Sequence, residues 1–135
     1  MADFMCDIVT PAARLVSEEA EVVVVPGVEG SMGFMRGHAP LVSALSDGEA
    51  HVKGADGEEK RYALQGGYVE VSGEKVIILA DRAILSTDVD VEAVQAQLEE
   101  VEAKIAELSP EELAKTTLAA DQSWCKVQLQ VAQVA

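Results

Sequence analysis

"QGGYVEVSGEKVIILAD", Gln65 to Asp81, decides how the first two thirds of the chain must be read. Gly66-Gly67 opens it as a turn. Tyr68-Val69-Glu70-Val71 then alternates, the period expected when one face of a strand meets a core and the other meets water. Ser72-Gly73-Glu74 is a second turn, and "KVIILA" (75–80) follows as another apolar run. Working outward, the same style recurs in "FMCDIVT" (4–10), "EAEVVVVPG" (19–27), "EAHVKG" (49–54), "KRYALQ" (60–65) and "GYVEVS" (67–72). Turn signals stand between them at Pro11, Pro26-Gly27, Ser46-Asp47-Gly48 and Gly54-Ala55-Asp56-Gly57. Six short strands at close spacing predict a β-sandwich or flattened barrel over residues 1–87.

Near residue 87 the period changes from two to helical. Val91, Val94, Leu98, Val101, Ile105 and Leu108 form one apolar seam. Leu113, Thr117, Ala120, Trp124, Val127, Val131 and Val134 form a second. Between them, Ser109 suits an N-cap, Pro110 the first helical position, and Glu112 completes a capping box. So short a break predicts an antiparallel two-helix hairpin over 88–135, seam against seam. Thr117 and Ala120 weaken the second seam, each missing methylene forfeiting about 0.8 kcal/mol of burial. Detachment of the pair is therefore physically plausible, with static packing against the β region as the alternative.

Composition restricts the function classes. Ten Lys and Arg face 24 Asp and Glu, a formal charge of −14, so nucleic acid and anionic lipid are unsuitable partners. The acid either maintains solubility or presents a face to a basic partner. Cys6 and Cys125 make neither a disulfide framework nor a metal pattern, and both are expected to be buried. "MADFMCDIVTPAARL" (1–15) lacks the basic region and apolar core of a signal peptide, and "VVVV" and "VIILA" are far too short to span a bilayer. The expectation is a cytoplasmic protein without direct membrane insertion.

A search for catalytic groups ends quickly. The histidines are His38 and His51; His51 sits in an alternating strand and is expected to be half exposed. No second His or Cys is placed to complete a metal set with His38. Glu99, Glu100 and Glu102 read as a solvated helix face, and no phosphate-cradling Gly-x-x-x-x-Gly-Lys is present. What remains is "EGSMGFMRGHAPLVSAL" (29–45), whose glycines and Pro40 constrain the backbone while Met32, Phe34, Met35, Arg36 and His38 offer side chains. This is either a contact surface or a structural turn with partly buried side chains.

In order and spacing, Gly27, Gly30, Gly37-His38-Ala39-Pro40-Leu41, then Gln65-Gly66-Gly67 and Leu79-Ala80-Asp81, resemble the epsilon subunit of the F-type, proton-translocating ATP synthase. The resemblance implies a flattened β-sandwich followed by a helical hairpin. It implies a non-catalytic rotor subunit of the central stalk, one sandwich face gripping the gamma subunit and one end resting on the ring of c subunits. Glu29, Ser31, Met32, Phe34, Met35, Arg36, Gly37 and His38 are the expected ring-contacting residues, with His38 shaping an interface. The location implied is peripheral, on the cytoplasmic face of a bacterial cell membrane.

In this family the hairpin can extend toward the alpha/beta catalytic head and restrain ATP hydrolysis, or fold down on a bound ATP. The ATP-binding pattern Ile/Leu-Asp-x-x-Arg-Ala corresponds to "VDVEAV", Val89 to Val94: Asp90 is kept, but Ala93 replaces the arginine. "ADRA" (80–83) imitates the motif too early, and the second helix offers only Lys115 and Lys126. Weak or absent ATP binding, modest inhibition, and no other cofactor or metal are expected.

Overall fold

The computed structural model describes residues 4–54 and 56–133. Ten strands precede the helices: β1 (Phe4–Val9), β2 (Arg14–Ala20), β3 (Val22–Gly27), β4 (Gly30–Phe34), β5 (Leu41–Ala44), β6 (Gly48–Lys53), β7 (Glu59–Gln65), β8 (Tyr68–Ser72), β9 (Lys75–Leu79) and β10 (Arg82–Leu85). They form two five-stranded sheets, ordered β2-β1-β9-β8-β5 and β10-β7-β6-β3-β4. All pairs are antiparallel except β1 with β9.

Alternation explains the layering. Val23 and Val25 on β3, Val69 and Val71 on β8, and Val76 and Ile78 on β9 point inward and are buried. With Phe4, Cys6, Ile8, Phe34 and Leu64 they make one core between the sheets. Side chains at the intervening positions point away from it.

Four strands escaped the sequence reading, each for a local reason. β2 is an edge strand and alternates through charged residues; β4 contains two glycines; β5 and β10 span four residues each. Pro26-Gly27 is corrected from a turn to the end of β3, the reversal lying at Val28-Glu29. Pro26 is tolerated because the carbonyl, which it retains, accepts from the Ser46 N–H (2.8 Å).

A 3₁₀ turn (Ser86–Asp88) leads to α1 (Val91–Ala106), a single turn α2 (Pro110–Leu113), and α3 (Leu118–Gln133). The Ser109–Glu112 capping box is formed in full: Glu112 N–H donates to Ser109 Oγ (3.2 Å), and Ser109 N–H donates to Glu112 Oε1 (3.0 Å). The expected continuous second helix is broken at 114–117. There the Thr116 hydroxyl donates to Leu113 O (2.9 Å) and its oxygen accepts from Leu118 N–H (3.2 Å), drawing backbone groups out of the helical ladder. α1 and α3 pack together as an antiparallel pair, Gln122 near the start of α3 donating to Glu102 near the end of α1 (3.1 Å).

The second seam reaches the sheet as well as lying on the helix that packs with α1. Trp124, Val127 and Val131 pack on Ala63 of β7 and Ile84 of β10, so this stripe belongs to the outer face of the second sheet. Thr117 and Ala120 are exposed, and Val134 lies outside the described residues. Cys125, one residue round the helix from Trp124, is buried, as is Cys6.

Candidate interaction surfaces

The turn at Arg36–Gly37 is built by backbone constraint. Gly37 has φ +85°, which only glycine adopts without strain; its N–H donates to Gly73 O (3.0 Å), and His38 N–H donates to Met35 O (3.1 Å). The imidazole of His38 stands edge-on to Phe34 with ring centroids 5.0 Å apart, and Nδ1 lies 2.8 Å from Ala39 O. Arg36 pairs with Glu74 across the sandwich end (3.4 Å). His38 therefore fixes a turn over an aromatic floor. Among the described residues, no three His, Cys, Asp or Glu side chains gather to hold a metal.

The structure divides the candidate contact residues. Glu29 lies at the exposed tip between β3 and β4, while Arg36, Gly37 and His38 lie at the opposite end of β4. The intervening strand is roughly 14 Å long at 3.4 Å per residue. One ring-contacting loop holding both is therefore corrected to two separate ends. Phe34, expected as a contact side chain, is 1 % exposed and belongs to the core, and Met32 packs against that core. Ser31 and Met35 are exposed. His51 is half-buried, with Nε2 3.6 Å from Glu59.

A surface that the sequence reading did not resolve is the outer face of the first sheet. The register places Ala44, Tyr68, Leu79 and Val9 in one row across four strands, with Val42, Glu70, Ile77 and Asp7 in the next. Val42, Tyr68 and Leu79 are 68 %, 57 % and 42 % exposed. Beside them a hollow of about 620 Å³ is lined by Val9, Pro11, Leu45, Tyr68, Leu79 and Asp81, among others. The glycine pair in Gln65-Gly66-Gly67 shapes its wall: Gly67 has φ +99°, and a Cβ there would stand 1.8 Å from Leu79 O.

Asp7 is buried on this face beside Lys75, whose Nζ is 3.2 Å away. Desolvation pushes its carboxyl up, but Ser17, Lys75 and Arg14 together outweigh this and hold it below the usual carboxylate range.

The hairpin covers β10, β7 and β6 of the second sheet. Besides the apolar contact, Gln65 Nε2 donates to Ala120 O (2.8 Å), Arg82 reaches Asp121 (3.4 Å), and the Ser123 hydroxyl donates to Asp47. Asp90, the residue retained from the nucleotide pattern, is the N-cap of α1 and accepts from Ala93 N–H (3.1 Å). Lys115 and Lys126 are exposed.

The profile described as "ATP synthase, Delta/Epsilon chain, beta-sandwich domain" matches residues 3–86 of this chain. The chain belongs to that family. Curated members of the ATP synthase delta/epsilon family agree. The sodium-ion-specific ATP synthase epsilon chain of Propionigenium modestum is 46% identical over 84 residues, covering 62% of this chain and 61% of its own. The epsilon chain of Rhodobacter capsulatus is 48% identical over 85 residues, covering 62% and 64%. The chain thus spans about six tenths of the length of the curated relatives it matches. The family match ends within the 3₁₀ turn, before the hairpin.

Two solved assemblies contain chains of the same fold. One is the Euglena gracilis mitochondrial ATP synthase, OSCP/F1/c-ring (TM-score 0.70, 21% identity, covering 98% of this chain and 79% of that one). The other is the central stalk and c-ring of the Tetrahymena thermophila enzyme (TM-score 0.63, 16% identity, 96% of both). Among the described residues, no helix of this family member is long and apolar enough to cross a membrane.

Proposed function

We propose that this chain is a non-catalytic epsilon subunit of the central stalk of an F-type ATP synthase, coupling rotation of the c-ring to gamma. The observation that carries the reading is the asymmetry of the sandwich. The second sheet is covered over β10, β7 and β6 by the chain's own hairpin, while the first presents an open apolar patch at Tyr68, Leu79 and Val42. One sheet left uncovered in this way is the form expected of a subunit gripped from one side. That face would meet gamma. The Glu29 tip is assigned to the ring, and Met35, Arg36, Gly37 and His38, at the other end, are not. The location would be peripheral, on the cytoplasmic face of a bacterial cell membrane, held there by other subunits.

The hairpin is read as a docked strut with modest inhibitory reach toward the alpha/beta head, and ATP binding as weak or absent. Support comes from Ala93 at the arginine position, from Asp90 already engaged as a helix cap, and from Trp124 and Val127 filling the hairpin–sheet contact. Few cations are available there to balance a polyphosphate.

The test is ATP hydrolysis and coupled ion pumping by the assembled enzyme with the whole chain, with a chain ending after Thr87, and with none. Coupling should be lost without the chain and kept with the sandwich alone, with little change in hydrolysis. Full coupling in its absence refutes the stalk reading. A large rise in hydrolysis on truncation refutes the modest-inhibition reading. Calorimetric titration of the chain with ATP tests the nucleotide reading, which a site tighter than millimolar would sink.

A further inference from the structure

Among the described residues the two sheets end in four edge strands, and they are not alike. On one side, β2 carries Arg14, Glu18 and Glu19, and β10 carries Arg82. Charge on an edge strand discourages pairing with another chain. On the other side, β4 (Gly-Ser-Met-Gly-Phe) and β5 (Leu-Val-Ser-Ala) carry none. β4 is the longer of the two, and it is flanked by two exposed large apolar residues, Val28 (60 %) before it and Met35 (63 %) after it.

The register determines which backbone groups of β4 are available. Antiparallel pairs alternate between those that exchange hydrogen bonds and those whose polar groups point away from each other. Pro26, opposite Ser31, has no N–H, and its carbonyl is engaged on the far side by Ser46. Ser31 is therefore in an outward-pointing pair, and so is Gly33, two residues on and opposite Val24. The N–H and C=O groups of both face away from β3, and both residues are exposed. Gly33 also leaves Val24 part-exposed on the outer surface, the nearest atom to a Cβ there being Val24 Cγ2 at 3.8 Å.

We infer that the free edge of β4 receives an extended segment of a neighbouring stalk subunit, which adds a sixth strand to the second sheet through Ser31 and Gly33. The inference rests on the stalk reading above but concerns a different surface from the open apolar face. A second copy of this chain is the poorer occupant, because each copy carries a formal charge of −14 and the edge begins beside Glu29. The segment that fits is uncharged along Ser31–Gly33, apolar where it meets Val24 and Met35, and carries a Lys or Arg opposite Glu29.

Hydrogen exchange at the Ser31 and Gly33 amides, in the isolated chain and in the assembled stalk, tests this directly. Both should exchange rapidly in the isolated chain and slow by about tenfold or more on assembly. Gly33→Pro removes one outward N–H without touching the β3–β4 ladder and should weaken assembly. Gly33→Ala keeps the N–H, fits against Val24, and should assemble as the parent does. Unchanged exchange in a stalk that assembles normally, or equal assembly of the Pro and Ala variants, overturns the edge inference alone. Failure of the parent chain to assemble overturns the stalk reading with it. A dimer of the isolated chain abolished by Gly33→Pro would replace the proposed partner by a second copy.

Discussion

Replacing Trp124 by alanine would remove the largest side chain joining the hairpin to the sandwich. Trp124 is 9 % exposed, and it shares its cluster with Val127, Val131, Ala63 and Ile84. Truncating a core aromatic to alanine costs about 3–5 kcal/mol. The lower end applies here, since the site lies at one edge of the sheet and α3 can settle partway into the space. About 3 kcal/mol corresponds to a change on the order of a hundredfold in the equilibrium for lifting α3 off the sheet. The polar contacts Gln65–Ala120, Arg82–Asp121 and Ser123–Asp47 would remain to hold its first turns. Amide exchange from Trp124 to Val131 should therefore accelerate by about that factor, while β1 and β9 in the sandwich core keep their protection. If α3 exchange were unchanged, the hairpin would not be anchored through this cluster. If β1 and β9 accelerated equally, the hairpin and sandwich would open as one cooperative unit, and the docked-strut picture would fail.

Other expectations follow from single positions. Gly67→Ala combines φ +99° with a Cβ 1.8 Å from Leu79 O; it should cost several kcal/mol, on the order of 3 or more, read as a large fall in Tm, and a near-normal Tm would contradict the assigned turn. The folded-state carboxyl of Asp7 is held below its unfolded value, so its stabilising contribution is present above the ordinary carboxylate range and is lost as pH falls through the lower, folded value. Denaturant midpoints measured through the acid range should accordingly fall more steeply for the parent than for Asp7→Asn; parallel curves would remove Asp7 from the acid response. Burial pushes the Cys6 thiol up to about 12 and raises that of Cys125 as well. Neither should react with iodoacetamide near pH 8 until the chain unfolds, and rapid native labelling would contradict their burial.

The candidate surfaces were legible to very different degrees. Local chemistry announced the turn at Gly37-His38, because glycine and proline signals act within a few residues. The same stretch misled about Phe34: whether an aromatic beside Met and Arg points outward depends on strand phase, and the phase of β4 is hidden by Gly30 and Gly33. The row of Ala44, Tyr68, Leu79 and Val9 could not be found by spacing, since it is assembled across four strands by register. Asp7 gains its environment only through pairing with β2 and β9, which places Ser17 and Lys75 around it.

By itself, the sequence determined that a β-rich region precedes a helical pair, where the period changes near residue 87, and how Ser109, Pro110 and Glu112 start α2. These are properties of alternation, helical period and capping, all set by residues close in the chain. Only the tertiary structure decided which face each element buries. The Trp124 stripe has the right period for packing on α1, yet a helix of that period can turn its apolar side toward any apolar surface within reach. The outer face of β7 and β10, with Ala63 and Ile84, provides that surface. Among the described residues the first sheet has no such cover, and that difference between the two faces, invisible to period and spacing, is where the function is proposed to lie.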